Sequence, residues 1–290
     1  MVYATHHGEW TAIHLFGTDL DRVLCGPVSA LVRWFAQRTS PVTNPYFFIR
    51  YGEGGPHIRL RILAEPHVGR EFLREVEKMT AGDESVVRWE AHPYEPECER
   101  YGGAEHIAAA ERQFFGSSAT VLALLQERDT WPSAWRTAVA IRMAVAFGVA
   151  CEMSTGVAVP FFERLSQAWM GAAIRPELLE EQKSAMRHRL QAAFRETFDA
   201  QAGALLDLCS DLRGTPLSDL EHDEELGAFI AATRAYAIDL GGCGEAALEA
   251  RRWEALSSAV HMNNNRIGVL NNEEAFIAAT AARILEWEPI

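Results

Sequence analysis

No stretch of this sequence approaches the run of about twenty apolar residues that a membrane span needs. Its first ten residues, MVYATHHGEW, also lack the basic-then-apolar order of a secretory signal. Cysteine is sparse: five residues (Cys25, Cys98, Cys151, Cys209, Cys243), odd in number and widely scattered. That argues against a disulfide framework and a zinc site, and for reduced thiols in the cytoplasm. Positive charge is in deficit, with 27 Lys and Arg against 40 Asp and Glu and a net charge of −13. A protein that grips a nucleic-acid backbone presents a basic face, so direct nucleic-acid binding is disfavoured, although a local basic groove remains compatible. Lysine is nearly missing, with only Lys78 and Lys183, which reads as genome composition. There is no P-loop, nucleophilic triad or metal-ligand cluster. The glycine-rich GEGGP turn opens no helix, which argues against nicotinamide and flavin. His6 and His7 read as a mobile tail, not metal ligands.

What is present is a chain of 290 residues, 48% hydrophobic, able to bury a large core. Residues 10–16 alternate as a strand, and residues 20–37 place apolar side chains at helical spacing behind Asp19, a plausible cap. Strands over 45–51 and 57–63 flank the GEGGP turn as a hairpin. A helix over 68–79 and a strand over 85–91 complete the order strand, helix, strand, strand, helix, strand, a ferredoxin-like split βαβ unit. After Pro93 comes an irregular loop, HPYEPECERYGG, and then only helices: 104–127, 133–153, 159–170, 176–212 in pieces, 224–238, 245–260 and 272–287. The expected fold is α+β: an α/β part over 1–103 and a larger helical part over 104–290, packed as one unit.

The richest stretch is PYFFIRYGEGGPHIRLRIL, which sets Arg50, Arg59 and Arg61 on paired strands. Residues two apart on a strand share a face, so Arg59 and Arg61 point together. Adjacent permanent cations repel unless an anion lies between them, yet strand arginines also decorate solvent faces. His57 adds a polar group at the strand entrance. In the loop, Tyr94, Glu95, Glu97, Glu99, Arg100 and Tyr101 are either ordinary surface or the wall of a polar cleft. HMNNNRIG, residues 261–268, is either a helix C-terminus rich in asparagine or a proton-moving histidine oriented by amides. In ERQFFGSS, residues 111–118, the phenylalanines read as core and the serines as helix packing.

FFIRYGEGGPHIRLRI, then YEPECERYGG with AAAERQFFGSS, then HMNNNRIG, in this order, resemble the elimination domains of class I lanthipeptide dehydratases. They also resemble the related stand-alone thiopeptide-type bacteriocin biosynthesis proteins, and the resemblance runs from Trp10 to the last helix. It implies removal of glutamate from glutamylated Ser or Thr of a ribosomal precursor peptide, leaving dehydroalanine or dehydrobutyrine, without a cofactor. Carried over position by position, Arg59, Arg61 and Arg100 match the family's elimination-site arginines and His261 its proton-transfer histidine. Arg50, Tyr51, His57, Glu99, Asn265 and Arg266 lie in the same motifs as substrate-binding candidates, although nothing in the mechanism requires Arg50. The implied partners are a precursor peptide with its leader and a separate glutamylating protein, and a homodimer is compatible with an exposed sheet. Two other readings stay open. Pyridine synthases of the same family join two dehydroalanines by formal cycloaddition and release the leader. A non-catalytic protein could instead hold a leader on a free strand edge.

Overall fold

The computed structural model describes residues 8–40, 44–242 and 249–287. His6, His7 and Cys243 lie outside the described residues; Cys25, Cys98 and Cys209 are free thiols. Strand β1 (Glu9–Phe16) leads into α1 (Leu20–Val23), a π-helical turn (Leu24–Val28) and α2 (Ser29–Ala36). The Asp19 carboxylate accepts from the N–H groups of Asp21 and Arg22, capping α1. Pro27 sits inside the π turn, and Ser29 Oγ bonds the Leu24 carbonyl at 2.7 Å. Next come β2 (Tyr46–Tyr51), β3 (His57–Ala64), α3 (Pro66–Thr80) and β4 (Arg88–His92). The sheet order is β2-β3-β1-β4 with every neighbouring pair antiparallel, the ferredoxin-like arrangement expected from the element order.

One face of this sheet, with Ile13, Leu15, Phe48, Ile58, Leu60 and Ile62, is buried, with α3 packed on β1 and β3 and α2 packed on α3. Gly69 of α3 allows that approach: a Cβ there would stand 2.6 Å from Thr11 Oγ1. By register the opposite face carries His14, Tyr51, His57, Arg59, Arg61 and His92.

The helical part follows a short 3-10 turn (Cys98–Tyr101) and comprises α4 (Ile107–Gln126), α5 (Ser133–Ala150), α6 (Thr155–Ala173) and α7 (Glu180–Leu208). Short α8 (Ser210–Gly214) and α9 (Leu217–Leu220), then α10 (Gly227–Asp239), α11 (Ala250–Ile267) and α12 (Glu274–Glu286), complete it. Gly116 lies inside α4 because α10 crosses there, its Ala228 carbonyl 2.7 Å from where a Cβ would be. Helix α7 is different: of its 29 residues only Phe198 and Leu205 are buried. Apolar side chains from both parts form one continuous core, from Ile13 to Ile284.

Several element boundaries differ from expectation, and two of them matter for the site. The strand expected over 85–91 begins at Arg88, three residues late. Helix α11 does not end at residue 260 but runs through HMNNNRI to a left-handed Gly268 (φ 85°). The asparagines do not break it because their side chains serve as buried connectors. Asn263 Oδ1 accepts from Gln113 at 3.3 Å, and Asn264 Nδ2 reaches Glu274 at 3.3 Å.

Its last two residues before Ile267 perform the docking. Asn265 forms two bonds with the main chain of Arg50, accepting its N–H and donating to its carbonyl, both at 2.9 Å. Arg266, fully buried, donates from Nε to the Phe48 carbonyl at 3.0 Å, while Ser118 Oγ of α4 accepts the Phe48 N–H at 3.1 Å. Side chains thereby occupy the edge of β2 where another strand would pair. Arg50 closes the joint, reaching the Arg266 carbonyl from Nε at 2.9 Å and Asp21 from its terminal nitrogen at 2.7 Å. Replacing Asn265 by Ala is expected to cost about 2–3 kcal/mol, because two half-buried main-chain groups lose their partner. Urea unfolding measures this; a change below about 0.5 kcal/mol would show that the clamp does not hold the sheet.

Candidate active site

His261 stands on α11 between the helical core and a cleft of about 540 Å³ that is also lined by Arg100, Trp169, Ser258 and Glu274. Its Nδ1 bonds both carboxylate oxygens of Glu274, at 2.8 and 3.1 Å. Glu274, the first residue of α12, is 3% exposed and is held further by Asn264. A carboxylate fixed on Nδ1 sets the ring's tautomer and leaves Nε2 as a free lone pair for the cleft. Trp169 flanks the imidazole, with ring centroids 6.3 Å apart.

Arg100 enters the same cleft from the 3-10 turn. Its Nε donates to Ser258 Oγ at 3.1 Å, and one terminal nitrogen pairs with Glu97 at 3.0 Å. Ser258 precedes His261 by three residues on α11, so this bond sets the guanidinium beside the imidazole.

The sheet arginines form a second group. Arg59 lies 3.4 Å above the Tyr51 ring and donates from Nε to His57 Nε2 at 3.1 Å. His57 is buried, and its Nδ1–H is spent on the Gly55 carbonyl at 2.8 Å, which leaves Nε2 as the acceptor. Burial holds His57 below the ordinary histidine range and drives stacked His14 down to about 3, so both rings are neutral at pH 7. Arg61 sits between two rings, 5.1 Å from Phe47 and 5.1 Å from Tyr94. Burial lowers it to about 10, and it stays charged at neutral pH. Among the described residues neither Arg59 nor Arg61 forms an ion pair, in a chain with 40 acids. Aromatic faces hold both cations while leaving their forks open to an anion. Buried Tyr101 joins the groups: Arg100 lies 5.8 Å over its ring, and Arg61 is near enough to act on its phenol.

The other expected contacts fall elsewhere. Arg50, Asn265 and Arg266 commit their polar groups to the β2 joint. Glu99 is exposed and lines a neighbouring cavity with Arg251 and Glu254. Sequence reasoning passed over Glu274, which lies 13 residues beyond His261 on another helix and carries no local signal. It also passed over Glu111, for which a signal existed, an acid on the same helical stripe as buried Phe114 and Ser118. Glu111 is 8% exposed, accepts the Tyr94 hydroxyl at 2.9 Å, and is pushed up to about 7 by burial, against the pull of Tyr94 and Arg61. Among the described residues no three His, Cys, Asp or Glu side chains gather as metal ligands would.

A family model describing the C-terminal part of lantibiotic biosynthesis dehydratases matches residues 10–285. The tRNA-dependent lantibiotic dehydratase MibB from Microbispora sp. 107891 superposes at TM-score 0.62 with 21% identity. That match covers 97% of this chain and 28% of MibB, so the chain spans little more than a quarter of that enzyme. TbtD, a pyridine synthase from thiomuracin biosynthesis, superposes at TM-score 0.66 with 13% identity over 95% of this chain and 97% of its own. TsrL does so at 0.65 with 16% identity over 96% and 95%. No curated protein sequence matches.

Glu111 makes stability depend on pH. A carboxyl with a raised folded pKa binds its proton more tightly folded than unfolded. Its contribution is therefore complete below about 4.5 and is lost as pH rises to about 7, a span worth about 3 kcal/mol. Glu111→Gln should flatten the stability profile between those values in urea titrations; an unchanged slope would rule out Glu111 as its source.

Proposed function

The chain belongs to the lantibiotic biosynthesis dehydratase C-terminal family, and from that premise we propose that it eliminates glutamate from glutamylated Ser or Thr in a ribosomally made peptide. The observation that carries this reading is the single cleft in which a carboxylate-oriented histidine faces a positioned arginine. His261 Nε2 takes the α-proton of the esterified residue. The C–H electron pair becomes the Cα–Cβ double bond, the Cβ–O bond breaks, and glutamate departs with its γ-carboxylate. The proton rests on an imidazolium whose Nδ1–H faces Glu274, so the charge formed in the step has a partner already in place.

Arg100 supplies a permanent cation for the negative charge that develops on the amide oxygen or on the leaving carboxylate. Because that charge is greatest in the transition state, the contact accelerates the step instead of tightening the substrate alone. Arg59 and Arg61, open to an anion, provide a second station for carboxylate. On this reading the peptide reaches the cleft already glutamylated.

A second reading is cycloaddition of two dehydroalanines. It is favoured by one observation, the end-to-end likeness to the pyridine synthase TbtD.

Incubation with a glutamylated peptide, followed by mass spectrometry, should show loss of glutamate. His261→Ala and Arg100→Ala should each slow that loss by on the order of 10²–10⁴-fold without unfolding the chain. Full activity in both variants would overturn the site. An untouched ester, with macrocycle formed from a dehydroalanine peptide, would select the second reading.

A further inference from the structure

A second cavity, of about 560 Å³, opens between α6 and α7, and its lining is one-sided. Arg164 comes from α6, Arg187 and His188 come from α7, and Gln167 and Gln191 add amides. None of the described residues lining it is acidic, although the chain carries a net charge of −13. Of the neighbouring acids, Glu163 lines one other cavity and Glu254 another, while Glu180, paired with Lys183, also feels the charge of Arg187. Trp253 of α11 forms the floor, with the Arg164 guanidinium 4.0 Å above its ring. Its indole Nε1 is buried and finds no acceptor among the described residues, a donor left over in a pocket of donors. His188 gives its Nδ1–H to the Ser184 carbonyl at 2.9 Å, which leaves Nε2 outward.

This cavity is in line with the reaction cleft. Trp253, Ser257 and His261 are spaced by four residues along α11 and share one face; the first lines the cationic cavity and the other two line the cleft. On α6, Ala168 lines the one and Ala172 the other. Eight residues of helix separate Trp253 from His261 by about 12 Å. An extended peptide covers that distance in about three to four residues.

We propose that the crevice between α6 and α7 binds an acidic segment of the peptide substrate, its carboxylates meeting Arg164 and Arg187 while the reacting residue lies at His261. The inference rests on the reading of this chain as a peptide-modifying enzyme and adds a rule for its substrates. Asp or Glu should fall about three to four residues from the position that reacts. Helix α7 then has a reason to stand almost unburied, because one of its faces is a wall of the groove.

The test uses fluorescently labelled peptides that bear Ala at the reacting position, so that binding is read without chemistry. One carries Asp and Glu three to four residues away; its twin carries Asn and Gln. Anisotropy titration of the full chain should show the acidic peptide bound about tenfold or more tightly than the twin. The advantage should vanish in Arg164→Glu/Arg187→Glu and shrink in the milder Arg187→Gln, each checked for an unchanged thermal transition. Equal affinity for the two peptides, or a preference that survives charge reversal, would overturn the proposal. An acidic preference lost on charge reversal in a chain that never releases glutamate would overturn the elimination reading and leave the groove standing.

Discussion

The joint between the edge of β2 and the last turns of α11 is the constraint on which the rest of the molecule depends. A strand edge carries N–H and C=O groups that must be paired when buried. Here Asn265, Arg266 and Ser118 pair them, using side chains from two helices in place of a fifth strand. The joint fixes both the height and the rotation of α11 against the sheet. His261, about one turn before Asn265, therefore has no freedom to choose which element it faces. Asp21 between Arg50 and Arg136 locks the same helix end from below, and Gly268 stops the helix where these arginines reach its carbonyls.

Around that joint the protein manages cations by two different devices. Where an arginine is structural, it meets carboxylates or main-chain carbonyls, as Arg50, Arg136 and Arg266 do. Where an arginine is left open, aromatic rings hold it instead: Tyr51 beneath Arg59, and Phe47 with Tyr94 around Arg61. A ring face attracts a guanidinium without consuming its hydrogen-bond donors. The outcome is a local excess of unspent positive charge on a strongly acidic protein, suited to an anionic substrate group that other acids on the surface would repel.

The hairpin, the split βαβ order and the helical second part were legible because each has a local signature: alternation, glycine turns, or apolar residues at helical spacing. The pairing of Arg59 and Arg61 on one face followed from strand periodicity alone. The end of α11 was not legible, because asparagine is a poor helix former whose preference is overridden when its amide is buried and bonded. Glu274 was invisible for a related reason. Nothing in a sequence says which of many acids a turn between helices will fold back onto a histidine.

The order of residues by itself determined the types of element, the two-part architecture, the face that Arg59 and Arg61 share and the likeness to a family of peptide-modifying proteins. These are short-range or motif-level properties, set by side-chain periodicity and turn chemistry within a few residues. Only the tertiary structure decided that Arg50, Asn265 and Arg266 hold the fold together while Arg100 and His261 share a cleft with Glu274. Motif membership is a property of neighbours in the chain. The role of a charged side chain is set by whichever partner reaches it first in space, and those partners lie up to 218 residues apart.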